Sequence, residues 1–179
     1  MNPFLSWNAG GVGARAKSDF IASEVRKHKV TVVAIIEHKQ KADKIMEFSR
    51  KVRMHASLQV ELVNKNFWVL WHREVSVELI QVGDQYITTR VSHDGFSLLV
   101  SFIYGSCDTQ RRETLWSDLN GFEPGDRPWI LGGDFNVVAD QVERKWRGDF
   151  PRLANISFGQ FMEGKGLLDL GYSGDLFTW

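Results

Sequence analysis

The sequence predicts an α/β chain with a large antiparallel component, organised as one domain over residues 1–179. Three observations lead there. The N-terminal part alternates strand-like and helix-like segments around a glycine-rich turn. From Ala56 onward, short β-branched and aromatic runs follow one another across tight turns. A helical segment then leads into the apolar run Pro128-Trp-Ile-Leu-Gly132, which ends in Gly133-Asp134-Phe135-Asn136.

Phe4 to Asn8 reads as a short strand entering the turn Gly10-Gly11-Val12-Gly13. Arg15 to Lys29 reads as a helix with Phe20, Ile21 and Val25 on one face and charges opposite. Val30 to Ile36 is β-branched and apolar, the pattern of a buried strand, and it stops at Glu37. Lys39 to Arg53 reads as a second amphipathic helix around Ile45, Met46 and Phe48. Strand-like runs follow at Leu58 to Val63, Phe67 to Trp71, Val75 to Val82, Tyr86 to Val91 and Phe96 to Tyr104. Asn64-Lys65-Asn66, Gly83-Asp84 and His93-Asp94-Gly95 separate them, and strands joined so closely are expected to pair antiparallel. Thr109 to Leu119 is a helix, Asp126 to Leu131 a strand, and Asn155 to Gly164 a helix. Between the last two lies a polar loop with Arg144, Lys145, Arg147 and Arg152.

Composition sets few limits. Lys+Arg and Asp+Glu are equal at 22 each, so net charge neither supports nor excludes a nucleic-acid partner. The single cysteine, Cys107, excludes an internal disulfide and a thiolate zinc cluster and fits a reduced, intracellular compartment, nucleus or cytoplasm. No apolar run reaches the ~18 residues of a membrane span. The start Met1-Asn2-Pro3-Phe4 is not a signal peptide.

The residues able to carry chemistry fall at strand ends: Asn8, Glu37, Tyr104, and the pair Asp134 and Asn136. If the chain stays extended, the last two share one face. An acid closing a buried run is costly unless it is paired or holds a cation. Each residue also has a plainer reading. Asp134 and Asn136 fit an Asx-turn, Glu37 an edge acid beside Lys39, Asn8 a turn cap, and Tyr104 a half-buried aromatic. A rival for the N-terminal part is the dinucleotide fingerprint Gly11-x-Gly13-x-x-Ala16 with Glu37 ending the next strand. Trp7-Asn8 and the hairpin-like strands that follow argue against it.

The chain resembles the endonuclease/exonuclease/phosphatase superfamily, and within it the endonuclease domain of plant LINE-type (non-LTR) retrotransposons. The stretches that carry the likeness run in family order. They are Ser6-Trp-Asn-Ala-Gly-Gly-Val-Gly13, Ile36-Glu-His-Lys39, Phe67-Trp-Val-Leu-Trp71, Phe102-Ile-Tyr104 and Arg112-Glu-Thr-Leu-Trp116. Pro128 to Asn136 and Gly166 to Trp179 complete the set.

The resemblance implies a four-layer α/β/β/α sandwich of the DNase-I-like type and a Mg²⁺-dependent phosphodiesterase acting on DNA, with Mn²⁺ the alternative ion. Glu37 would be the direct metal ligand with Asn8 beside it, and Tyr104 would hydrogen-bond the scissile phosphate. Asp134 would orient or deprotonate the attacking water, Asn136 would stabilise the phosphorus centre, and Thr178 would stand near the phosphate. The family pattern continues past Phe-Thr-Trp179 to a terminal Asp-His. The histidines here, 28, 38, 55, 72 and 93, all lie in the first half of the chain. The expectation is therefore a C-terminally truncated domain lacking the last strands. Loss of such an acid–base group costs ~10²–10⁴-fold in rate. Sheet edges left open would favour self-association. Two function classes follow: a weak or inactive DNA endonuclease with a phosphatase variant, or a non-catalytic remnant that at most binds nucleic acid.

Overall fold

The computed structural model describes residues 3–56, 60, 63–137, 152–171 and 173, with 152–155 by their backbone alone. The elements are β1 (Phe4–Asn8), α1 (Arg15–Lys27), β2 (Val32–Ile36), α2 (Lys44–Val52), β3 (His55–Ala56) and β4 (Phe67–Trp71). They continue with β5 (Ser76–Gly83), β6 (Tyr86–His93), β7 (Phe96–Tyr104), α3 (Thr109–Asn120), β8 (Trp129–Asp134) and α4 (Arg152–Gly164).

The chain divides into two compact units, one of Met1–Tyr104 with Pro124–Asp134 and one of Gly105–Glu123 with Phe135–Trp179. The first holds two mixed four-stranded sheets, ordered β1-β2-β4-β3 and β5-β6-β7-β8. In each sheet one pair is parallel, β1 with β2 and β7 with β8, and the remaining pairs are antiparallel. A parallel pair needs a crossover connection, and α1 supplies the one between β1 and β2.

β2 explains why the first sheet lies inside. Every residue of Val32–Ile36 is buried, and alternation divides them between two cores. Val33 and Ile35 join Trp68 and Leu70 of β4 beneath Ile21 and Val25 of α1 and Ile45, Phe48 and Val52 of α2. Val32, Ala34 and Ile36 face the second sheet, packing with Phe67, Ile87, Val91, Val100 and Phe102. Truncating one of these, Ile35→Ala for example, costs about 2–5 kcal/mol.

In the second unit, Trp116 of α3 packs against Phe158 and Phe161 of α4, with ring centroids 5.1 and 5.3 Å apart. Asp108 caps α3 by accepting from the Arg111 amide at 3.0 Å.

The elements follow the sequence expectation with these corrections. In the run Leu58 to Val63, expected as a strand, the described residues Val60 and Val63 are helical, and the Asn64 amide donates to Val60 O at 2.8 Å. The helix expected from Lys39 starts only at Lys44, because Glu37 and Lys39 take φ of 51° and 52°, outside the helical region. β4 and β5 are consecutive yet do not pair; the chain passes between them from one sheet to the other. Residues 144–147 of the polar loop lie outside the described residues.

Candidate active site

The two parallel pairs bring the expected residues to one place. Asn8 ends β1 opposite Ile36, so Glu37 follows directly beside it. Tyr104 ends β7 in register with Asp134, the last residue of β8. In parallel pairs the carboxyl ends lie at the same edge, and β1 and β8 are in contact. Four strand ends therefore converge where loops begin.

The side chains are joined by direct bonds. Asn8 Nδ2 donates to Asp134 Oδ2 at 2.9 Å and to Glu37 Oε1 at 3.2 Å. The Tyr104 hydroxyl donates to the same Glu37 Oε1 at 2.6 Å. Lys39 Nζ lies 3.1 Å from Glu37 Oε2. The Tyr104 hydroxyl, then Lys39 and Asn8, hold the Glu37 carboxyl below its ordinary range despite partial burial. Glu37 is thus a fixed anion at neutral pH.

The backbone behind the cluster is tied down. Asn8 Oδ1 accepts from the Gly10 amide at 3.1 Å, so the cap reading and the site reading both hold for this residue. The amides of Gly11 and Val12 donate to Glu37 O at 2.7 Å and His38 O at 3.0 Å. Those two amides are consequently engaged, and β2 next pairs antiparallel with β4 in place of a further parallel strand, which argues against the dinucleotide fingerprint. Glu37 itself sits at φ 51°, a region that side-chain-bearing residues rarely occupy.

Asn136 stands apart from the extended-strand expectation. β8 ends at Asp134, Asn136 has φ 49°, and its Nδ2 donates to Gly105 O at 2.7 Å. Asparagine tolerates this region better than most residues. Thr178 lies outside the described residues. The chain's five histidines are all placed. His38 is buried and stacked on Trp68 with centroids 4.3 Å apart, and burial lowers its pKa. His28 pairs with Glu24, His72 with Glu74, and His93 with Asp94, while His55 lies by Trp71. None joins the cluster. The plainer reading of Glu37, an edge acid beside Lys39, is met by the same ion pair, so Lys39 joins the cluster through a contact the sequence had already suggested.

Among the described residues, no three His, Cys, Asp or Glu side chains gather as a metal cage. Glu37, Asp134 and the amide of Asn8 offer hard oxygen donors. Mg²⁺ is ordinarily held in this way, by one or two carboxylates with water and substrate phosphate completing its shell.

Known proteins settle the ancestry. The profile of the endonuclease/exonuclease/phosphatase family matches residues 5–179. The chain belongs to that family. No curated protein matches the sequence significantly. Among solved structures, the endonuclease domain of TRAS1, a telomere-specific non-LTR retrotransposon, is similar at 12% identity and a TM-score of 0.61. The match covers 95% of this chain and 75% of that one. A Staphylococcus aureus beta toxin is similar at 13% identity and a TM-score of 0.61, covering 98% of this chain and 75% of that one. The AP endonuclease LMAP of Leishmania major follows at 13% identity and 0.55, with 90% and 66% covered. At these identities the likeness is one of fold. The DNase-I-like fold class expected from the sequence is the one found, with two mixed sheets and helices α1 to α4 among the described residues.

Proposed function

We propose that this chain is a divalent-metal-dependent phosphodiester hydrolase acting on DNA, built as a single domain of a LINE-type retrotransposon endonuclease of plant origin that works inside the cell. The observation that carries the reading is the bonded cluster of Asn8, Glu37, Tyr104 and Asp134, gathered from four strand ends of a nuclease-family fold.

Glu37 would hold Mg²⁺ or Mn²⁺, at a position that already attracts the Lys39 ammonium to Glu37 Oε2. Such an ion would offset the negative charge that grows on the phosphoryl oxygens. Asn8 holds Glu37 and Asp134 in a fixed relation. Asp134 orients the attacking water and accepts its proton as the oxygen bonds to phosphorus and the P–O bond to the leaving sugar oxygen breaks. Tyr104 turns its hydroxyl from Glu37 to the phosphate; from the family resemblance alone, Asn136 would steady the phosphorus centre and Thr178 would serve as a hydroxyl near the phosphate. The leaving oxygen takes up a proton as the bond to phosphorus breaks.

A second reading is a domain that binds nucleic acid without cutting it, favoured by the placement of His28, His38, His55, His72 and His93 away from the bonded cluster. Nicking of supercoiled plasmid in Mg²⁺, beside Asp134→Ala, separates the two. Nicking by the parent and not the variant supports the hydrolase. A soluble, folded parent that binds DNA and never nicks leaves the binding module.

A further inference from the structure

Outside the cluster, the first unit carries one more feature with a clear chemical bias. A groove of about 670 Å³ opens between α1 and α2, lined by Arg15, Lys44, Arg50 and Lys51 with Glu47 as the opposing acid and Trp68 at its base. Its rim is the continuation of the cluster's own loops. Gly13 and Gln40 line it, Gln40 comes three residues after Glu37, and a Cβ on Gly13 would collide with the Gln40 amide.

We propose that this groove carries the sugar-phosphate backbone of the nucleic-acid strand beyond the scissile phosphate. The proposal rests on the hydrolase reading for the strand's entry point, and on the groove's own chemistry for its occupant. Lys51 is held by Asp19 at 2.6 Å and Lys44 by Glu47 at 2.9 Å, but Arg50 has no ion-pair partner among the described residues. The Nε1–H of Trp68 likewise has no hydrogen-bond partner among them, although the residue is 1% exposed. An anion in the groove would meet cations on both helices. A base would find no aromatic platform, because Trp68 is buried and already stacked on His38. The groove therefore reads phosphate and not sequence, and its contribution to binding is electrostatic.

The test is fluorescence-anisotropy titration of the purified chain with two DNA duplexes in EDTA, one just spanning a single nick site and one extended on both sides. Parent and the double variant Lys44→Gln/Arg50→Gln are compared over a salt series, with circular dichroism confirming that both are folded. The expected result is a preference of the parent for the long duplex that the variant loses, about tenfold in affinity. The slope of log affinity against log salt should fall by about two, near one per phosphate contact removed. Equal losses on short and long duplexes, or an unchanged slope, overturn the groove. Inorganic phosphate that competes as well as the long duplex overturns it too, since the site would then be one for a small anion. The hydrolase reading is tested apart, by Mn²⁺ binding to the parent in electron paramagnetic resonance. Its failure leaves the anisotropy result standing.

Discussion

Asn8 and Asp134 lie 126 positions apart in the sequence and meet through one hydrogen bond, Nδ2 to Oδ2 at 2.9 Å. The same Nδ2 serves Glu37 Oε1 at 3.2 Å, so a single neutral amide spans two carboxylates. A carboxylate oxygen only accepts, so two such groups cannot bond to each other, and the Asn8 amide supplies the donor that joins them.

Replacing that donor by an acceptor, Asn8→Asp, removes both bonds and adds a third negative charge. Metal-free stability should fall by about 1–3 kcal/mol, seen as a lower melting temperature in EDTA. Mg²⁺ should restore more of it in the variant than in the parent, because ligand charge has increased. A variant as stable as the parent in EDTA would mean that the amide does not hold the cluster together.

The lowered pKa of Glu37 sets a pH dependence. A carboxyl whose folded value lies below its ordinary 4.5 contributes stability that is fully present above that value. The contribution disappears as pH falls through the folded value. In EDTA, Glu37→Gln should therefore melt below the parent at pH 7, and the two curves should converge on acidification below about pH 4. A gap that persists in acid would assign the stabilisation to shape and not to charge.

Much of this arrangement was legible before the structure. β2 announced itself as a doubly buried strand because each of its residues is apolar, and Glu37 then marked the edge where loops begin. The hairpin turns at Gly83-Asp84 and Asp94-Gly95 fixed β5, β6 and β7. The failures have physical causes. Val60 and Val63 are β-branched and read as strand, yet Val60 is buried in the core from a helical turn, so tertiary packing overrode local preference. The passage from β4 to β5 between sheets has no local signature, since a short turn looks the same whether strands pair or part. The union of Asn8 with Asp134 depends on two parallel registers at once, which no local pattern encodes.

Lys39 offers a prediction in the opposite direction to most substitutions. Its ammonium competes with a metal ion for Glu37 Oε2, which it approaches to 3.1 Å while 62% exposed. An exposed pair of this kind is worth about 0–1 kcal/mol. Lys39→Gln should accordingly tighten Mn²⁺ binding by up to about fivefold, read by electron paramagnetic resonance, with little change in melting temperature. Weaker binding in the variant would show that Lys39 supports the metal position and does not compete for it.

Two adjacent glycines at the end of β8 should respond in opposite ways. Gly133 has φ 145°, and a Cβ there would lie far inside van der Waals contact distance of Ile103 O on β7. The parallel register that carries Asp134 to Tyr104 passes through this contact, with Gly133 paired to Ile103. Gly133→Ala must push the strands apart or twist β8 out of register, at a cost of about 1–3 kcal/mol or more. Asp134 would then leave the reach of Asn8, so nicking should disappear even where the protein still folds. At Gly132 a Cβ meets nothing within 4 Å, so Gly132→Ala should melt within a few degrees of the parent and keep its activity. Calorimetry and plasmid nicking on the pair together make the comparison. Equal tolerance at both positions would show that the β7–β8 register does not position Asp134.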